Sequence, residues 1–195
     1  MDLSATPPSA TARPSIDVAV LMRRERLHGR SAHWQPWRWT LDAVVPGEPG
    51  FGTAPRLLVD DHGEQRWLHP GFSVELFRDE AEGYHLNAVT DAPCWFVLWR
   101  MEEEAALAAE PIPRPVVVTL SYHEAGRWLD AQETVEQVPA PPEVVEWLRC
   151  FVREHYVEEP KRRKRPESFR PLVDRFGNAA SVSTEKKRGR GPGDG

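Results

Sequence analysis

Apolar and polar residues alternate in short runs over the first 120 residues, and turn-forming residues separate these runs. In residues 16–22, for example, every second side chain is apolar and large, which is the period of a half-buried strand. The turn sequence DDHG at residues 60–63 predicts a β-hairpin. The predicted strands are residues 16–22, 37–45, 56–59, 65–68, 72–77, 84–88, 94–99 and 116–120. Seven to eight short strands predict a mainly β (α+β) fold, an antiparallel β-barrel or sandwich.

The period changes from two to helical in the last third of the folded region. Val144, Leu148 and Val152 repeat at helical spacing after a proline-rich start at residues 139–142, which predicts a C-terminal amphipathic helix. The sequence SYHE at residues 121–124 has the pattern of a capping box and predicts a shorter helix. A strand over residues 127–138 is the alternative for that stretch. A barrel capped by the C-terminal helix is the simplest assembly.

Composition and charge divide the chain into three segments. Residues 1–14 are rich in Ser, Thr, Ala and Pro, so we expect a disordered N-terminal segment followed by one domain over residues 15–159. Residues 160–195 carry 11 Lys and Arg against 4 Asp and Glu, a net charge of +7, whereas residues 1–159 carry 14 against 26, a net charge of −12. We therefore expect a basic, mostly disordered tail behind an acidic domain.

Several classes of protein are disfavoured by what the sequence lacks. It has no stretch near the ~20 apolar residues of a membrane-spanning helix, and its start does not resemble a secretory signal. The two cysteines have no metal-type spacing and no disulfide framework, which is typical of a cytoplasmic protein. Nucleophile elbows, phosphate-binding loops and zinc-helix motifs are missing as well. We therefore expect a protein that is not an enzyme and has no cofactor or metal.

The chain has eight tryptophans, and the candidate binding residues come from one stretch with Trp and Arg and from one basic run in the tail. Trp34, Trp37 and Arg38 lie in a polar stretch at the entry to a strand, and Trp with Arg is typical of protein-binding hot spots. In the tail, the run Lys161, Arg162, Arg163, Lys164 and Arg165 offers a second, electrostatic contact. Both are predicted partner-binding sites, and core packing is the alternative role for the tryptophans.

The sequence is also compatible with two other functions. A small-ligand-binding or enzymatic barrel would place His69, His85 and Asp79 around one pocket. Nucleic-acid binding would use the basic tail, but the acidic domain and the lack of a basic, base-stacking ribbon disfavour it.

Five stretches together resemble a bacterial family of unknown function. They are residues 67–84 (WLHPGFSVELFRDEAEGY), 94–100 (CWFVLWR), 120–130 (LSYHEAGRWLD), 138–144 (VPAPPEV) and 160–166 (PKRRKRP). Genes of that family typically lie beside those for molybdenum-dependent formate dehydrogenase subunits. The resemblance therefore implies an accessory or maturation protein for such an enzyme, acting in the cytoplasm by protein–protein binding, with a formate dehydrogenase subunit as partner.

Overall fold

The computed structural model describes residues 13–158 of the 195-residue chain. The predicted tail 160–195, including the run from Lys161 to Arg165, lies outside the described residues, as do residues 1–12 of the predicted N-terminal segment 1–14. Seven strands and three α-helices make up the fold: β1 (Ser15–Arg26), β2 (Trp37–Pro46), β3 (Arg56–Asp61), β4 (Glu64–Glu75), α1 (Ala81–Ala88), β5 (Cys94–Met101), β6 (Pro113–Thr119), α2 (Tyr122–Asp130), β7 (Val135–Pro139) and α3 (Pro142–His155). No helix in this part of the chain is long and apolar enough to cross a membrane.

The strands form two antiparallel sheets. Sheet A has four strands in the order β2-β1-β4-β3, and sheet B has three in the order β6-β5-β7. Strand β5 is therefore central, as its apolar character on both faces predicts. The arrangement confirms the mainly β prediction and is sandwich-like, so the closed barrel is not the form that the fold takes.

The larger of two apolar clusters in the described residues lies between the sheets and the helices. Sheet A contributes Val20 and Met22, sheet B contributes Trp95, and helix α3 contributes Leu148, each of them almost fully buried. Helix α3 presents its apolar stripe to this core, as predicted, and α1 packs against α3. Burial of such side chains is worth about 1.5–3 kcal/mol each, so α3 is a major source of stability rather than an appendage.

Three local predictions were wrong or incomplete. Residues 84–88 belong to helix α1 rather than to a strand, because Tyr84 and Ala88 lie one helical turn apart and both enter the core. The predicted strands 65–68 and 72–77 both fall in the single strand β4, which continues past Pro70 and Gly71 but ends at Glu75. Residues 127–138 contain the end of α2 and the start of β7, so the helix and the strand alternatives each hold for part of the stretch.

Candidate functional site

A basic, aromatic connection joins β1 to β2 at one end of sheet A. We call residues 27–36 the Trp34 loop. A hydrogen bond from the Leu27 amide to the Pro36 carbonyl, at 2.8 Å, closes its base, and a short 3-10 helix at Arg30–His33 occupies its tip. Trp34 follows that helix and is 87% exposed, the largest exposed fraction among the large apolar side chains described. Its only aromatic neighbour in the described chain is His33, with ring centroids 5.3 Å apart.

Trp37 has a different environment, although it is only three residues away. It is half-buried, and the guanidinium groups of Arg24 and Arg26 lie 4.9 Å and 5.9 Å from its ring centroid. A Cβ atom at Gly63 would come within 2.9 Å of the Trp37 ring, so the ring packs directly on the β3–β4 turn. Trp37 therefore supports the Trp34 loop and ties it to the neighbouring hairpin.

Arg38 is exposed and bound to a carboxylate of the adjacent strand. Its guanidinium donates to Glu25 through Nε, at 3.1 Å, and through a second, shorter contact from Nη2. The hydrogen bond from Arg38 lowers the pKa of the Glu25 carboxyl below its ordinary value. Arg38 is thus already paired with Glu25 before any partner protein binds.

Charge is distributed unevenly around the Trp34 loop. Residues 26–39 contain three Arg, two His and three Trp but no Asp or Glu, in a domain that is otherwise acidic. Arg26 and Arg30 are exposed, and neither forms an ion pair within residues 13–158. Residues 26–39 therefore form a cationic aromatic surface. The sequence predicts Trp34, Trp37 and Arg38 as part of a binding site here, but not Arg26 and Arg30.

The three residues predicted to share a pocket are not brought together. His69 lines an open cavity of about 720 Å³ between β4 and the β5–β6 pair, together with Glu102 and Arg114. His85 instead stacks on Tyr156, with ring centroids 4.2 Å apart, and neither His85 nor Asp79 lines this cavity. The structure therefore gives no support to a pocket formed by this trio.

His69 is nonetheless chemically unusual. Only 4% of its surface is exposed, and its Nε2 atom is buried without a hydrogen-bond partner in the described chain. Burial lowers the pKa of His69 to about 4, although the negative charge of Glu102 acts in the opposite direction. The imidazole is therefore neutral near pH 7 and serves packing at the floor of the cavity.

The acidic sequence around residues 79–82 has a structural role. Glu80 accepts hydrogen bonds from Ser121 Oγ at 2.8 Å and from Arg127 at 2.7 Å. Burial alone would raise the pKa of Glu80, but these two hydrogen bonds hold it below its ordinary value. Within residues 13–158 no cluster of three His, Cys, Asp or Glu side chains is placed to hold a metal ion. Glu80 instead links α1 to α2.

The family is shown by sequence comparison. The model of the family described as "Protein of unknown function (DUF3305)" matches residues 17–165, about three quarters of the chain. No curated protein and no solved structure gives a significant match. The chain therefore belongs to the DUF3305 family.

Proposed function

We propose that this protein is a non-catalytic accessory protein that binds a partner protein through the Trp34 loop. The observation that carries the proposal is the exposure of Trp34 within a cationic segment of an acidic domain. A tryptophan that is 87% exposed leaves a large apolar area in water, and burial against a partner would recover that free energy. Trp and Arg are the residue types that most often dominate binding energy at protein interfaces.

The surroundings of Trp34 favour a role in binding over an exposed side chain without a function. The Leu27–Pro36 hydrogen bond and the packing of Trp37 on Gly63 hold the base of the loop in one conformation. A loop fixed in this way loses less conformational entropy when it binds. Arg26 and Arg30 remain available for new ion pairs, so a partner surface with an apolar pocket and an acidic rim is the best complement.

The partner that we propose is a subunit of a cytoplasmic, molybdenum-dependent formate dehydrogenase. The support for this choice is the family resemblance, since genes of such families typically lie beside those of the dehydrogenase. An enzyme with a large buried cofactor has to remain open until the cofactor enters, and a bound accessory protein could hold it open. The basic run from Lys161 to Arg165 is proposed as a second contact to the same partner.

Partner capture by purified protein tests the proposed surface. The wild type and the variants Trp34→Ala and Arg30→Glu would be compared for binding to the purified, cofactor-free catalytic subunit by titration calorimetry. We expect Trp34→Ala to raise the dissociation constant at least about tenfold, which is the effect of losing a typical hot-spot residue. Leu129→Ala is the matched control, because Leu129 is an exposed apolar residue on α2, away from the loop. Equal affinity of the wild type and Trp34→Ala would reject the loop as the binding surface.

A genetic experiment tests the proposed partner independently. Formate-dependent dye reduction and the amount of dehydrogenase polypeptide would be measured in a strain that lacks this gene. We expect activity to fall while the polypeptide persists, with recovery by the wild type and by Leu129→Ala but not by Trp34→Ala. Unchanged activity in the deletion strain would reject the dehydrogenase as partner.

A further inference from the structure

Strand β3 forms one edge of sheet A and is uncovered. Its only strand neighbour in the described chain is β4, and all six of its residues are exposed. Leu57, Leu58 and Val59 are 41–45% exposed, which is unusual for three consecutive apolar residues in a strand. Because sheet edges present unpaired backbone groups, such a strand is a template for pairing with another strand.

The sequence of β3 is complementary to itself when it is read antiparallel. Residues 56–60 read Arg-Leu-Leu-Val-Asp, with a positive charge at one end, a negative charge at the other and apolar residues between. A twofold axis through Leu58 places Arg56 opposite Asp60 of a second copy and Leu57 opposite Val59. Leu58 then faces its own equivalent. In this register every opposite pair is apolar with apolar or positive with negative, which are the favourable cross-strand combinations.

We propose that two copies of this chain associate by antiparallel pairing of their β3 strands about Leu58. The two sheets A then continue into one eight-stranded sheet. The interface is isologous, meaning that both copies use the same surface, as most homodimers do.

The charged ends of β3 agree with this arrangement in the isolated chain. Neither Arg56 nor Asp60 has an ion-pair partner within residues 13–158; Arg56 instead makes a 3.4 Å hydrogen bond to the Gly50 carbonyl and Asp60 accepts a 3.3 Å hydrogen bond from Gln65. Leu58 lies at a register shift in the β3–β4 pairing and has no paired residue in β4. A bulge of this kind bends the strand, so pairing about Leu58 requires β3 to straighten there.

The small size of the interface determines what strength to expect. Five residues a side bury less surface than a standard stable complex, so the dimer should be weak and dependent on concentration. The two Arg56–Asp60 pairs lie at the ends of the paired segment and fix its register. Charge substitutions should therefore act strongly on association while leaving the exposed strand folded.

Sedimentation equilibrium of the full chain, over a concentration series into the millimolar range, tests the proposal. We expect a monomer–dimer equilibrium for the wild type. Arg56→Asp and Asp60→Arg should each weaken self-association at least about tenfold, because each variant places like charges opposite one another twice. A wild type that stays monomeric over the whole series would overturn the proposal.

Charge exchange tests the register itself. An equimolar mixture of Arg56→Asp and Asp60→Arg should form a heterodimer, since a doubly negative strand then meets a doubly positive one. The double variant Arg56→Asp/Asp60→Arg should self-associate like the wild type. If the single variants dimerise as well as the wild type, or if neither the mixture nor the double variant recovers association, the β3 pairing is wrong.

A final control distinguishes dimerisation through β3 from binding through the Trp34 loop. Trp34→Ala should leave the monomer–dimer equilibrium unchanged, because Trp34 is not part of β3. If Trp34→Ala abolishes dimerisation, the association uses the Trp34 loop and the β3 proposal fails. The partner-binding proposal is tested with other proteins and would not be affected by a failure here.

Discussion

The side chain of Asn87 and the backbone of Cys94 form a reciprocal pair of hydrogen bonds. Asn87 Nδ2 donates to the Cys94 carbonyl at 2.8 Å, and the Cys94 amide donates to Asn87 Oδ1 at 3.0 Å. The same Nδ2 atom donates to the Leu120 carbonyl at 2.9 Å. Asn87 is 1% exposed, so one buried amide joins the end of α1 to the start of β5 and to the residue that follows β6.

Asn87→Ala should therefore destabilise the fold strongly. The substitution leaves an amide and two carbonyls without partners in a buried place, and each such group costs about 1–3 kcal/mol. We expect the free energy of unfolding to fall by roughly 3 kcal/mol or more, measured by urea denaturation. Val89→Ala, an exposed change just beyond the same helix, is the control and should stay within about 0.5 kcal/mol. A loss for Asn87→Ala as small as that of the control would mean that this network does not hold the sheet.

Gly83→Ala is expected to destabilise the domain, against the usual helix preference. A methyl group at Gly83 would clash with Ser121 Oγ, which caps α2 by accepting from the Glu124 amide and also donates to Glu80. Alanine is otherwise favoured in a helix by about 1 kcal/mol, so the sign of the change separates packing from propensity. The thermal midpoint of the wild type, Gly83→Ala and Gly83→Ala/Ser121→Gly would be compared. Stabilisation by Gly83→Ala alone would contradict the close approach.

The buried His69 should make the fold sensitive to acid. Its pKa is about 4 in the folded protein and near 6.5 when unfolded, so the unfolded chain binds a proton first as the pH falls. Stability from this residue is thus complete above pH 6.5 and is lost between pH 6.5 and 4, by up to about 3 kcal/mol. The free energies of unfolding of the wild type and His69→Leu would be measured across this pH range. The difference in their pH dependence gives the contribution of His69. Parallel curves for the two proteins would show that His69 titrates normally.

Trp34→Ala and Trp37→Ala should change the free energy of unfolding by different amounts, although the two residues are close in sequence. Trp34 is exposed, so its removal should change the free energy of unfolding by no more than about 0.5 kcal/mol. Trp37 packs on Gly63 and under two arginines, so its removal should cost about 1–3 kcal/mol. Urea denaturation measures both. Equal losses would mean that the two side chains share one environment.

The alternation of side chains predicted most strands but not where the alternation breaks. Between β1 and β2 the register shifts, so that Leu21 faces Ala43 and Met22 faces Leu41, leaving Asp42 as the extra residue. Leu41 and Val44 are therefore both buried, which a strict period of two forbids. Such bulges depend on the pairing of two strands, and one strand's sequence does not encode them alone.

Helix α1 and the uncovered edge β3 escaped prediction for a related reason. The residues of α1 that matter most, Gly83 and Asn87, are weak helix formers, and their contacts are with Ser121, Cys94 and Leu120, distant in the chain. Exposure of Leu57 and its neighbours depends on β3 lying at the edge of sheet A, a property of strand order. At the candidate site, the sequence predicts Trp34, Trp37 and Arg38 as binding residues, while the supporting contact of Trp37 with Gly63 required the fold.

Each sheet is made from one uninterrupted stretch of chain, residues 15–75 for sheet A and 94–139 for sheet B. On the ribosome, all four strands of sheet A are synthesised before the first strand of sheet B, and the α3 residues of the core follow both sheets. The apolar inner face of sheet A is therefore not fully covered until almost the whole domain has been synthesised. Nascent chains that end before Pro142 should therefore be more prone to aggregation than the complete domain.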